Sequence, residues 1–136
     1  MLKNSALFGA AKAPVGPAGE RLAEPIDRSY FARFTMGNAA LEREVLELFA
    51  AQAPAYLERL RDARALKDWR DAAHTIKGSA SAIGAWRLAR MAEMAEKIDI
   101  EAEMARAEGC REKALDAVAE AIDEVCRHIA RLLADP

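Results

Sequence analysis

Four residues that could take part in a reaction or in binding are spaced so that they lie on one face of a helix: His74, Lys77, Gly78 and Ser81. An exposed imidazole is an available nucleophile near neutral pH, and a lysine one turn away adds a point cation suited to an anion. Glycine inside a helix is less favourable than alanine by about 1 kcal/mol, so the bare backbone at Gly78 needs a reason. Close approach by another molecule is the simplest one.

The opposite side of the same helix is apolar. Its residues form the core-facing stripe that is typical of an amphipathic helix: Trp69, Ala72, Ala73, Ile76, Ala80 and Ile83. We therefore expect the helix to bury this stripe and to present the side that carries His74 to solvent.

The composition favours a single helical domain. The 136 residues are 52% hydrophobic but only 6% aromatic, and Ala, Leu, Glu, Arg and Met dominate. Twenty basic and twenty-two acidic residues give a net charge of −2 without a basic block, which argues against nucleic-acid binding. No apolar run approaches the roughly 20 residues of a membrane span. Two cysteines without a CxxC motif indicate free thiols, and we expect a cytoplasmic protein.

The order of helix signals predicts an all-α fold. Residues 1–25 are rich in Ala, Pro and Gly and are interpreted as a flexible tail, and residues 26–136 as the folded domain. Asp27 is a candidate cap for a short helix, Arg28–Phe34. The long helices are predicted at about Ala39–Arg64 (with a kink near Ala50 caused by Pro54), Asp68 to Gly84, Ala85–Met104 and Cys110–Leu133. The expected architecture is an antiparallel up-down four-helix bundle with a short extra N-terminal helix.

The connection after the central helix predicts a partner for His74. With Gly84 and Ala85 as the turn, His74 lies about ten residues, or about 15 Å, below it, and an equal descent on the next helix reaches Glu96. Glu96 lies about a quarter turn off the apolar stripe, at the edge of the groove. Its carboxylate could accept the Nδ1 proton of His74 and leave Nε2 outward as the nucleophile. A solvated glutamate is the alternative, and the spacing alone leaves both open.

The sequence HTIKGSAS at positions 74–81, followed by Gly84 and Ala85, resembles the signature of histidine-containing phosphotransfer (HPt) domains of bacterial two-component phosphorelays. The resemblance extends from about Ile26 to the C-terminus. The family pattern has an acidic or amide residue where Glu96 stands, and a second small residue near Ala80, where alanine is a mild variation. The family fold is the bundle described above.

The resemblance implies that His74 Nε2 carries a phosphoryl group, that Lys77 helps to hold the phosphate, and that Gly78 leaves room for the partner. It implies a phosphorelay intermediary that exchanges this group with the aspartate of response-regulator receiver domains. The implied partners are a receiver domain, a hybrid sensor histidine kinase, or both, and we expect a monomer that is not an enzyme. No metal or cofactor is expected in this chain, because the receiver supplies the Mg²⁺.

Other polar residues have less specific interpretations. Arg70, Arg87 and Arg90 could form a positive rim for an acidic receiver pocket, although for each one alone a solvated surface residue is the favoured interpretation. Ser81 could hydrogen-bond the phosphate or its own helix backbone. A non-phosphorylated HPt-like module that binds and inhibits a kinase or receiver is the alternative function. The intact His-x-x-Lys-Gly pattern favours phosphotransfer, because an inhibitor does not need the nucleophile.

His128 is the second histidine of the chain and lies beside the apolar stripe of the last helix, with Glu124 one turn before it. A glutamate and a histidine without further ligands are a weak metal signal. We interpret His128 as a surface residue.

Overall fold

The computed structural model describes residues 24–106 and 109–134, except for the side chains of residues 104 and 105. This part of the chain contains helices and no strand. The helices are α1 (Arg28–Thr35), α2 (Ala39–Asp62), α3 (Leu66–Ala82), α4 (Trp86–Glu96), α5 (Ile100–Arg106) and α6 (Cys110–Ala134). Within the described ranges, none of these helices is long and apolar enough to cross a membrane. The predicted tail, apart from residues 24 and 25, lies outside the described residues.

Helices α2, α3, α4 and α6 form a four-helix bundle in which each helix contacts two neighbours. Helix α3 packs against α2 and α4, and α6 closes the ring by packing against α4 and α2. Short connections make consecutive helices antiparallel. The core is built from Ala, Leu, Ile and Val, with Trp69 fully buried among them. The predicted all-α bundle with a short N-terminal helix is confirmed.

The start of α1 is tied to the connection between α3 and α4. The Asp27 side chain caps α1 by accepting from the Tyr30 amide at 3.1 Å, and it also accepts from Trp86 Nε1 at 3.0 Å. The Asp27 amide donates to the Gly84 carbonyl at 2.9 Å. Gly84 has φ +75°, and a Cβ there would lie 2.8 Å from the Asp27 carbonyl oxygen. Both the backbone conformation and the close approach therefore require glycine at this turn.

The helix after this turn is shorter than predicted. Helix α4 ends at Glu96 instead of continuing to Met104, and a new helix, α5, begins at Ile100. The Asp99 side chain accepts from the Ala102 amide at 3.1 Å, as an N-cap residue does. The apolar periodicity runs through this break, so it concealed the cap.

The start of α3 also differs from the prediction. The helix begins at Leu66, and Ala65 provides no side-chain cap. The Leu66 amide instead donates to Glu101 Oε2 on α5 at 2.9 Å, so a distant helix satisfies one of the free amide donors at the start of α3. Helix α2 continues through Pro54 without interruption and ends at Asp62.

Candidate functional site

Helix α3 divides its residues between core and solvent as its periodicity predicts. Trp69, Ala73 and Ile76 are at most 1% exposed. The His74 side chain points the other way and is 71% exposed. A buried stripe on the same helix thus fixes the helix rotation and leaves the imidazole accessible to another molecule.

Glu96, the last residue of α4, lies beside the imidazole. Its Oε2 is 3.3 Å from His74 Nδ1, and its side chain is 29% exposed. The buried Trp69 Nε1 donates to the carbonyl oxygen of Ala95 at 2.7 Å, which fastens the end of α4 to α3 next to this contact. A carboxylate this close to Nδ1 favours the tautomer that carries its proton on Nδ1, which leaves the lone pair on Nε2.

Lys77 lies one turn after His74 and meets a carboxylate that the sequence analysis missed. Its Nζ is 3.6 Å from Glu93 Oε2, and Glu93 Oε1 is 3.5 Å from Lys97 Nζ. The hairpin geometry that places Glu96 opposite His74 also places Glu93, one turn earlier on α4, opposite Lys77. The same argument, moved by one turn, would have found it.

These side chains line an open depression of about 460 Å³ between α3 and α4. The lining residues are Arg70, Lys77, Glu93, Glu96 and Lys97. Three cations and two carboxylates at the surface suit the transient binding of an anionic group, because the cations stay solvated and exchangeable.

Gly78 and Ser81 lie on the side of α3 that carries His74. Gly78 is exposed, and a Cβ built there would have no described atom within 4 Å. No internal contact among the described residues therefore requires glycine at this position, which contrasts with Gly84. Ser81 is half-buried, and Arg70 and Arg90 are exposed.

Arg87 is not part of this exposed surface, and the prediction for it was wrong. Its side chain is 3% exposed, with NH2 3.5 Å from Glu120 Oε1 and NH1 3.6 Å from Glu124 Oε1. Helix α4 lies between α3 and α6, and Arg87 is on the side that faces α6. The two glutamates of α6 compensate its buried charge there.

His128 is buried, so the interpretation as a surface residue was also wrong. Its side chain is 7% exposed, and its Nε2 lies 3.6 Å from Glu24 Oε2. Burial lowers the pKa of His128 below its ordinary value, with Glu24 opposing this shift and Arg131 and Arg28 adding to it. The residues before α1 cover a position that the periodicity of α6 placed at the edge of the core.

A second lysine of the same helix, Lys67, is hydrogen-bonded to a carboxylate. Lys67 Nζ lies 2.8 Å from Asp71 Oδ2 within α3. This hydrogen bond raises the pKa of Lys67 and lowers the pKa of Asp71. Lys67 is thus bound more closely than Lys77, and Lys77 is the more available cation.

Comparison with protein families identifies the region that carries the site. The family model described as Hpt domain matches residues 44–134, which is well over half of the chain and contains His74, Lys77, Gly78 and Glu96. The chain belongs to the Hpt domain family. Hpt domains are phosphotransfer modules of two-component systems, and they interact with response regulators and kinases. Comparison with curated proteins and with solved structures gave no match.

Proposed function

We propose that this Hpt domain is a phosphorelay intermediary that accepts a phosphoryl group on His74 Nε2 and exchanges it with the aspartate of receiver domains. The observation that carries the proposal is the exposed imidazole whose Nδ1 lies 3.3 Å from Glu96. That arrangement leaves a single nitrogen free to react, and the family match covers both residues.

Transfer of the phosphoryl group from a receiver aspartate to His74 needs no further reactant. The lone pair of Nε2 attacks phosphorus, the Nε2–P bond forms, and the bond from phosphorus to the aspartyl oxygen breaks. The aspartate leaves as a carboxylate, and the imidazole keeps its Nδ1 proton and becomes positively charged. Glu96 acts as a positioning residue, because its carboxylate fixes the ring and compensates the new charge. The reverse sequence returns the group to a receiver.

The other residues of the site have supporting roles in the proposal. The loose transition state of phosphoryl transfer requires in-line positioning and charge neutralisation more than covalent assistance. Lys77 supplies a cation to the phosphoryl oxygens. Gly78 allows a receiver to approach the helix backbone, and Ser81, Arg70 and Arg90 form the surrounding contact surface.

The metal of the transfer reaction belongs to the partner. The receiver contributes the Mg²⁺ and the aspartate, and the Hpt domain contributes the nucleophile. In this proposal the chain is a monomer that accepts a phosphoryl group from one protein and donates it to another, and it is not itself an enzyme. The two free cysteines favour the reducing cytoplasm as its location.

Phosphoramidate, a small donor to histidine, tests the acceptor. We expect the intact mass of the wild-type protein to rise by one phosphoryl group, with the label removed by acid, and the mass of His74→Gln to stay unchanged. The labelled protein is then mixed with purified receiver domains and Mg²⁺, and the label should move to a receiver aspartate.

Two results would contradict the proposal. Equal labelling of His74→Gln would place the acceptor elsewhere. A protein that binds receivers or a kinase but accepts no phosphoryl group from phosphoramidate or from phosphorylated receivers would instead be the interaction module considered above.

A further inference from the structure

We propose that Glu93 is a built-in competitor of the phosphoryl group for Lys77: its carboxylate occupies the lysine in the unphosphorylated protein and yields it when His74 is phosphorylated. This inference rests on the proposed function, since it concerns the regulation of the same site. Glu93 is thereby a positioning residue that acts through Lys77.

The contact between Lys77 and Glu93 is suited to exchange. The two side chains are 36% and 46% exposed, and the nitrogen and oxygen are 3.6 Å apart. Ion pairs of this kind are weak because water solvates both partners. Lys77 lies one turn from His74 on the same helix face, so its flexible side chain can turn from the carboxylate to a phosphoryl group on the imidazole.

A second lysine keeps Glu93 compensated after the exchange. Glu93 Oε1 lies 3.5 Å from the Nζ of Lys97, the residue that follows the end of α4, whereas Oε2 faces Lys77. The carboxylate thus bridges two cations through different oxygens. When Lys77 leaves, Glu93 still has a cation beside it, so the release does not create an isolated charge.

The neighbouring pair of α3 illustrates a lysine that is not available in this way. Lys67 donates a hydrogen bond to Asp71 at 2.8 Å. Lys77 has the longer contact and a partner that is itself shared. Of the two lysines of α3, it is the one that the geometry leaves ready to change partners.

The direction of the effect follows from charge. A phosphoryl group carries up to about two negative charges and three acceptor oxygens, so it competes successfully with one carboxylate. Removing the Glu93 carboxylate removes the competitor. Glu93→Gln should therefore bind phosphoryl groups more readily, and the phosphorylated protein should persist longer, each by about three- to fivefold for a weak exposed pair.

A double-mutant cycle with phosphoramidate tests the inference. The proteins are wild type, Glu93→Gln, Lys77→Met and the double variant, and the measurements are the labelling rate against donor concentration and the lifetime of the label. We expect Glu93→Gln to lower the half-saturating concentration with little change in the limiting rate. In the Lys77→Met background the same substitution should have no effect, because its action passes through the lysine.

Glu47→Gln is the matched control, since Glu47 is 54% exposed and pairs with Arg43 at 3.1 Å on α2. It should behave as wild type. Unchanged or slower labelling of Glu93→Gln, or an equal gain in the Lys77→Met background, would overturn the competitor role and leave the acceptor function intact. No labelling of the wild-type protein by phosphoramidate or by phosphorylated receivers would overturn both proposals.

Discussion

The protein contains two histidine–glutamate pairs in opposite environments. His74 Nδ1 lies 3.3 Å from Glu96, and the His74 side chain is 71% exposed. His128 Nε2 lies 3.6 Å from Glu24, and the His128 side chain is 7% exposed. The residue types and the distances are similar, so the pairing alone does not distinguish a reactive histidine from a structural one.

The two pairs differ in the surroundings of the Nε2 atom of the histidine. The carboxylate at His74 takes Nδ1 and leaves Nε2 open to a partner. At His128 the carboxylate faces Nε2 itself, and that atom is buried with no hydrogen-bond partner among the described residues. This difference supports the proposal that phosphoryl transfer uses the first pair, whereas the second pair joins α6 to the residues that precede α1.

Two cations of the molecule, Lys77 and Arg87, show the same contrast between exposure and burial. Lys77 is 36% exposed and contacts one carboxylate. Arg87 is 3% exposed and lies between two carboxylates of α6. An exposed lysine can change partners, whereas a buried arginine is held by the packing around it.

The largest expected effect separates the two histidines. Phosphoramidate should label His128→Gln to the same extent as wild type, and His74→Gln should not be labelled at all, because only His74 presents a free Nε2. Intact mass measures both variants, and circular dichroism checks that each is folded. A label on His128 in the wild-type protein, located by peptide mapping at neutral pH, would contradict the assignment.

A substitution at Gly78 tests whether a receiver must come close to the helix backbone beside His74 and Glu96. Gly78→Gln should slow transfer to a receiver by about 100-fold, because a displacement of the reacting groups by about 1 Å has an effect of this size. Labelling by the small donor should change little. Ala51→Gln, at an exposed position within α2, is the control. Normal receiver transfer in Gly78→Gln would exclude close approach at this backbone.

The two cations should differ in their contribution to stability. Arg87→Ala should lower the free energy of unfolding by about 3 kcal/mol, because it leaves Glu124 without its cation and opens a cavity. Lys77→Ala should change it by less than about 0.5 kcal/mol. Urea denaturation measures both. Equal effects would mean that the difference in burial between the two cations does not decide their contribution to stability.

The smallest expected effect is the pH dependence that His128 contributes. Because burial lowers its pKa from the ordinary 6.5, the unfolded chain binds a proton before the folded protein does as the pH falls. The free energy of unfolding should therefore decrease below pH 6.5 until the folded-state pKa is reached. Urea denaturation between about pH 5 and pH 8 should show a shallower decrease for His128→Gln. An identical pH profile would show that His128 is not protonated differently in the two states.

Most of the fold follows from local sequence signals, and the helix bounds that the sequence predicted wrongly have specific physical reasons. The cap at Asp27 and the glycine at position 84 could be predicted because each acts within a few residues of its own helix. The break before α5 and the early start of α3 could not, because Asp99 interrupts a continuous apolar stripe and Glu101 caps a helix far away in sequence.

For the site, the sequence by itself determined the helix face that carries His74, Lys77 and Gly78, and it made Glu96 a candidate partner of His74 through the antiparallel geometry of a short hairpin. Those features depend on helix periodicity and rise, which are local. Only the tertiary structure decided that Arg87 and His128 are buried and that Glu96 lies 3.3 Å from the His74 ring. The burial of a charged side chain depends on which other helix or segment covers it, and contacts between distant parts of the chain fix that.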